Sequence, residues 1–365
     1  MFVILGIENR YYTARIMPDQ PGACMSSSRI NALFTWAATQ HGLAPRDIHL
    51  APAGGDASFR RYFRLTLPSG ETQVAMDAPP EQEDSTPFVA IAQQWRAAGL
   101  PVPRVHAADL KAGFLLLDDL GETPLQMCFT DANAVDAHTR EALALIGALQ
   151  NRANPAALPP FDQALLCREL DLFPEWHLRA WLDLPVPESW NALRTALIEQ
   201  ALSQPVVTVH RDFDAMNLMP HQGQLYMIDF QDAVAGPLSY DAISFLRGRY
   251  WRFSQHAFDG FMAEFYHQAR NDGRLSNATD KATFLRQSHA MAAQRSLKVL
   301  GIFCRLTLRD GKRGYLERLP DFLVHLEDSL AALPEHADFT AWLCQTLRPA
   351  ITQKLATLEA QERPE

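Results

Sequence analysis

The residues whose types and spacing suggest chemistry are His210-Arg211-Asp212-Phe213-Asp214-Ala215-Met216-Asn217, followed by Met227-Ile228-Asp229-Phe230. An apolar run over 206–209 leads into the first set, and a second over 225–228 delivers Asp229. Between them, His221-Gln222-Gly223-Gln224 reads as a hairpin turn. Transfer of a phosphoryl group to a hydroxyl needs such a set. One carboxylate orients the attacking hydroxyl and takes its proton, while an amide and a second carboxylate hold Mg²⁺ against the phosphates. Asp212 fills the first role, with Asn217 and Asp229 as the metal ligands. Two other readings stand beside this one: solvated loop residues with Asp229 capping a turn, or a His210/Asp212/Asp214 alternation on a transition metal that leaves Asn217 and Asp229 idle.

Two further segments bear on a nucleotide. Gly54-Gly55-Asp56-Ala57-Ser58-Phe59 lies between two strand-like runs. Its glycines allow close approach of backbone to phosphate, and Ser58 adds a donor, although a plain turn has the same appearance. Phe114-Leu115-Leu116-Leu117-Asp118-Asp119-Leu120 leaves a strand where the texture of the chain changes, so that backbone at Leu117 and Asp118 would read an adenine edge; a buried strand is the alternative. No GxxxxGK[ST] occurs, and Asp310-Gly311-Lys312 lacks the surroundings of a P-loop.

The elements that must position these residues fall into two groups. A helix over 30–42, strands near 48–51, 59–67 and 73–76, a helix over 84–98 and a strand pair at 105–108 and 114–117 make a small mixed lobe. In the run 59–67, Phe59, Phe63, Leu65 and Leu67 share one face with Arg61, and Arg60 takes the opposite one. From residue 131 on, helical patterns dominate: 133–150, 162–182, 188–203, 239–249, 255–270, 280–300, 318–332 and 337–360, with the short β patch at 206–230 among them. This is an α+β chain. Residues 1–25 form an N-terminal extension with Met25 as an alternative start, 26–118 a small nucleotide-binding lobe, and 119–365 a large helical lobe for catalysis and substrate, with a cleft between the lobes.

The 365 residues suit two such units, and 47% hydrophobic content suffices for a sizeable core. A net charge of −9, with no block of Lys and Arg, argues against nucleic acid or an anionic membrane surface as partner. The 5 cysteines are scattered and form no CxxC, which fits reduced thiols in a cytoplasmic protein rather than a disulfide framework or zinc ribbon. No apolar run is long enough to span a bilayer.

With these residues assembled, the chain resembles the aminoglycoside phosphotransferase and choline kinase superfamily, whose fold is the two-lobed protein-kinase-like one. The family's His-x-Asp-x-x-x-x-Asn falls on His210, Asp212 and Asn217, and its Ile-Asp-Phe/Trp element on Ile228-Asp229-Phe230. Its later Gly-Pro-x-x-Tyr-Asp falls on 236–241, where the resemblance implies that Asp241 braces the catalytic loop together with His210. The protein-kinase branch fits less well: Asp214 stands where a lysine is usual, Gln231 replaces a glycine, and no Ala-Pro-Glu follows.

The segments 54–63, Met76-Asp77-Ala78-Pro79-Pro80, 229–233 and 294–303 are most similar to the bacterial anomeric kinases of N-acetylmuramate and N-acetylglucosamine in cell-wall recycling. That resemblance implies ATP and Mg²⁺ as cofactors and a small amino sugar as the acceptor. Kinases of an aminoglycoside, choline or homoserine, and a non-catalytic nucleotide-binding fold, are the alternatives. The family's small-lobe lysine has no counterpart in Val74-Ala75-Met76-Asp77, so an arginine, Arg60 or Arg61, is expected to supply the charge. Arg60 is assigned to the phosphate side and Arg61 to an internal ion pair. For the acceptor, Asp232, Arg247, Arg295 and Arg305 are the candidates, an arginine fork suiting a lactyl carboxylate. Trp176, Trp181 and Trp251 could each stack on a sugar ring or simply pack.

Overall fold

The computed structural model describes residues 23–53, 60–249 and 251–362. In the small lobe, helix α1 (Ala23–Gln40) precedes β1 (His49–Pro52), β2 (Arg61–Thr66) and β3 (Thr72–Asp77). Helix α2 (Thr86–Ala97), β4 (Val105–Asp109) and β5 (Phe114–Asp118) complete it. The described strands form one antiparallel sheet in the order β1-β2-β3-β5-β4. The side-chain period of two divides its core. Phe63, Leu65, Ala75, Phe114 and Leu116 pack under α1, whereas Met76, Leu115 and Leu117 join α2 and the large lobe. The unbroken apolar run of β5 is thus a strand buried on both faces.

The alternation also decides the two arginines. Arg61 pairs with Asp77 across β2 and β3, and its guanidinium meets the fully buried Asp77 carboxylate at 2.5 Å while Arg29 of α1 reaches it at 2.7 Å. Arg60 is turned the other way.

The large lobe is mainly helical: α3 (Ala132–Arg152), α4 (Gln163–Leu172), α5 (Trp190–Leu202), α6 (Tyr240–Leu246), α7 (Gln255–Asn271), α8 (Lys281–Leu308), α9 (Leu319–Ala331), α10 (Ala337–Trp342) and α11 (Arg348–Glu362). Side-chain caps start several of them, Asp131 on α3, Asp162 on α4, Ser254 on α7 and Asp280 on α8. Helix α8 is the hub, packed against α4, α5, α6, α7 and α9.

Two stretches depart from the expected α-helices. The helix expected over 162–182 becomes a π-helix at Phe173–Leu182, and the one over 337–360 is interrupted by another at Leu343–Leu347. At the first, Pro174 has no N–H to give the α ladder. On the facing helix, a Cβ at Gly301 would lie 2.4 Å from the backbone carbon of Leu172, so α8 approaches this junction closer than any larger residue allows.

Within the lobe, β6 (Val206–Val209) pairs with β9 (Val234–Pro237), and β7 (Leu218–His221) with β8 (Gln224–Met227), all antiparallel. No helix among the described residues is long and apolar enough to cross a membrane.

Candidate active site

Strand β6 ends at Val209, and the chain then turns sharply. Asp241, fully buried at the start of α6, accepts the backbone N–H of His210 at 2.7 Å and of Arg211 at 3.0 Å. The grip holds Arg211 in the left-handed region, φ +79°, a conformation costing a branched-chain or bulky residue about 1–3 kcal/mol. Burial pushes the Asp241 carboxyl up to about 6, with His210 and the two N–H donors pulling against it.

The buried His210 ring bonds the Ile228 carbonyl through Nε2 at 3.0 Å, tying the loop to the segment that carries Asp229. Its own burial lowers its pKa, which keeps the ring neutral. A second tie runs from the Ile228 N–H to the Asn217 carbonyl, 3.0 Å. The tight β7–β8 connection at Gln222 (φ +49°) and Gly223 (φ +76°) has the two positive φ values of a hairpin turn that matches strand twist. Asp229 is also left-handed, φ +63°. Two strained residues therefore sit where the sequence places the reactive groups.

Asp212 is exposed, and Asn217 lies beside it, its Nδ2 donating to the Asp212 carbonyl at 2.9 Å. That bond leaves Asn217 Oδ1 as an acceptor. One oxygen of Asp229 takes the Gln231 Nε2–H at 2.9 Å. Burial raises the Asp229 carboxyl, the bond from Gln231 opposes this, Asp212 and Asp232 raise it further, and Arg60 lowers it. Crowded carboxylates with one amide oxygen make a hard donor set that fits Mg²⁺, which is content with one or two protein ligands and completes its shell from phosphate and water. Asn217 and Asp229 are the residues that would hold it. Among the described residues no group of three or more His, Cys, Asp and Glu forms a metal cluster.

The His210/Asp212/Asp214 alternation does not converge on a metal site among the described residues. His210 spends Nε2 on a carbonyl, while Asp214 accepts the Met216 N–H at 2.8 Å and pairs with Arg249 at 3.4 Å.

Gly54, Gly55 and Ser58 lie outside the described residues. Arg60 is buried, 2.7 Å from Glu83 and 5.8 Å above the Phe88 ring, which stacks on Phe230 at 4.8 Å. It stands close enough to Asp229 to lower its pKa. Leu117 is in the β5 core at the lobe junction. Asp118 donates its N–H to the Arg104 carbonyl, and its carboxylate bonds the Arg104 N–H at 2.8 Å and His106 at 2.7 Å.

The acceptor candidates scatter. Asp232 is exposed and feels Asp229. Arg247 is a correction: it is fully buried, stacked 4.0 Å over Phe258 and bonded to Gln255 at 2.6 Å and Asp328 at 3.2 Å, so its guanidinium braces helices and cannot meet a substrate. Arg295 is half-buried and reaches the Arg247 carbonyl at 3.4 Å; Arg305 is half-buried further along α8. Trp181 is core, whereas Trp251 is partly exposed, edge-on to Phe129 at 6.0 Å beside Asp214 and Gly248.

Sequence reading missed a buried group behind the loop, Glu169 with Arg211 and Lys298. The available signal was a carboxylate on the apolar stripe of a helix, between Leu166 and Leu170.

A sheet lobe facing a helical lobe, with a braced His-Arg-Asp loop and a second aspartate one hairpin later, defines a kinase-like phosphotransferase. Residues 49–285 match the phosphotransferase enzyme family, and the chain belongs to it. A protein of Pseudomonas putida is 40% identical over 293 residues, covering 79% of this chain and 86% of that one; one of Neisseria meningitidis is 37% identical over 289 residues, covering 77% and 85%. Both carry the name N-acetylmuramate/N-acetylglucosamine kinase. Among solved structures, a Plasmodium vivax ethanolamine kinase superposes with a TM-score of 0.60 at 9% identity, covering 90% of this chain and 93% of that one. An ADP-bound aminoglycoside phosphotransferase gives 0.51 at 11% identity, covering 82% and 98%. At such identities the likeness establishes the two-lobed fold alone.

Proposed function

We propose that the protein is an ATP- and Mg²⁺-dependent kinase that phosphorylates the anomeric C1 hydroxyl of N-acetylmuramate and N-acetylglucosamine, in the cytoplasm, feeding UDP-sugar synthesis in peptidoglycan recycling. The observation that carries this reading is the similarity to relatives of that name, 37–40% identical across more than four-fifths of their length. The acceptor is a small molecule; neither nucleic acid nor a membrane takes part.

In this reading Asp212 accepts the proton of the C1 hydroxyl, whose oxygen attacks the γ-phosphorus as the bond to the ADP oxygen breaks. Asn217 Oδ1 and Asp229 would hold Mg²⁺, which would supply positive charge against the phosphates. Asp241 and His210 keep the loop in register, so Asp212 meets its target without reorganisation. Arg60 supplies positive charge from the small lobe, and Gly54, Gly55 and Ser58 cover the phosphates. Asp232, Arg295 and Arg305 remain the candidates for the acceptor edge.

An ATP-dependent activity screen over N-acetylmuramate, N-acetylglucosamine, aminoglycosides, choline and homoserine tests the assignment. Turnover of the two amino sugars is expected. Turnover of any other member with neither sugar accepted would move the protein to another kinase of the family.

A further inference from the structure

Directly behind the catalytic loop, four elements meet around one carboxylate. Glu169 of α4 is buried, and Arg211 Nη2 donates to its Oε1 at 2.9 Å. Lys298 of α8 reaches the same oxygen at 3.0 Å, and Gln294, one turn earlier on α8, donates to Oε2 at 3.1 Å. The Lys298 ammonium also donates to the Tyr240 hydroxyl of α6 at 3.0 Å.

The charges do not cancel. Arg211 and Lys298 bring two positive charges against the single negative charge of Glu169. Burial alone would discharge the lysine, yet Glu169 overrides it and raises its pKa. Glu169 in turn is held down by Lys298 and Arg211 against its own burial. A pair built only to join helices would be stable at one to one, because an unbalanced buried charge is costly. The surplus charge has a counterpart: Asp212, the next residue after Arg211, acts on both Lys298 and Arg211.

We propose that Lys298 is a positioning residue for phosphoryl transfer. Through Glu169 and Arg211 it fixes the loop that carries Asp212. Within the segment 294–303, Lys298 and Gln294 thus act behind the loop.

The test uses steady-state kinetics and thermal unfolding of wild type, Lys298→Arg, Lys298→Met and the double variant Lys298→Met/Glu169→Gln. Misplacement of a reacting group by about 1 Å costs about 10²-fold. Lys298→Met is expected to lose turnover on that scale with KM for ATP unchanged, and Lys298→Arg to recover most of it. The double variant also removes the carboxylate that holds Arg211 and should turn over no faster than Lys298→Met. A bridge that merely joins helices predicts a lower Tm with turnover near wild type in every variant. A double variant with wild-type turnover, or a Lys298→Met with wild-type turnover, overturns the proposal. Should Lys298→Met not fold, Lys298→Gln alone and with Glu169→Gln gives the same comparison, because glutamine still donates to Tyr240. The inference rests on phosphotransferase activity but not on the sugar. If wild type ignores both amino sugars, the acceptor reading fails, and the comparison proceeds with whichever alcohol of the screen it accepts.

Discussion

Asp229→Asn separates what the carboxylate does for the fold from what it does for the reaction. Asparagine keeps the shape and tolerates the left-handed φ of +63° at this position. Burial raises the Asp229 carboxyl, with Asp212 and Asp232 adding to the effect against Gln231 and Arg60. A folded-state pKa above the unfolded one means that the ionised group opposes folding at neutral pH. The substitution therefore removes a destabilising charge, and Tm without nucleotide should stay level or rise. Turnover should move the other way. The protein ligands for Mg²⁺ fall from Asn217 and Asp229 to one strong donor and one weak, at a cost of about 10²–10³-fold in turnover. ADP release measured over a Mg²⁺ titration gives both the lowered turnover and a higher half-saturating Mg²⁺ concentration. Thermal unfolding with and without ADP and Mg²⁺ reads the same loss without catalysis: a saturating ligand at about 100 Kd stabilises by about 2.7 kcal/mol, and the Mg²⁺-dependent part of that gain should shrink. Turnover within about threefold of wild type, far from the loss expected for a ligand to the transferring phosphates, would refute the assignment. A marked fall in Tm would refute the electrostatic argument.

Arg60→Met should raise KM for ATP, whereas Arg61→Met should leave it alone and lower Tm by weakening the clamp on buried Asp77; equal KM values in all three proteins would leave Arg60 without a nucleotide role. Asp241, with a folded pKa of about 6 against 3.8, contributes stability below about pH 4 that is lost as pH rises through about 6. The Tm of Asp241→Asn relative to wild type should accordingly grow across that window while its turnover stays low at every pH, and a flat Tm difference would contradict this. Gly301→Ala gains about 1 kcal/mol of helix propensity but sets a Cβ 2.4 Å from the Leu172 backbone. Chemical denaturation should show a net loss of about 1–3 kcal/mol, and a stabilised variant would mean that α8 and α4 separate easily.

What the sequence revealed depended on how local the signal was. The loop from His210 to Asn217 and the Asp229 element are short, contiguous and flanked by apolar strands, so residue type and spacing sufficed to single them out. The opposite destinations of Arg60 and Arg61 followed from strand alternation alone. The backbone role expected of Asp118 was less legible, because its N–H goes to the Arg104 carbonyl, a partner fixed only once β4 and β5 pair. Arg247 looked like any arginine near a site, and only packing against Phe258, Gln255 and Asp328 puts it inside. Glu169 and Lys298 are 129 positions apart in number and meet only through α4 and α8, leaving no trace in spacing. The π turns at Phe173–Leu182 escaped for a different reason: Phe173, His177, Leu178 and Trp181 are buried at intervals that also suit an α-helix.

The measurement that bears most directly on the central claim is phosphorus NMR of the product made from ATP and each amino sugar. An anomeric kinase gives a phosphate coupled to the C1 proton, makes a product labile in acid, and refuses the 1-O-methyl glycoside of N-acetylglucosamine while tolerating a blocked C6. Coupling to the C6 protons, or phosphorylation of the methyl glycoside, would contradict the account.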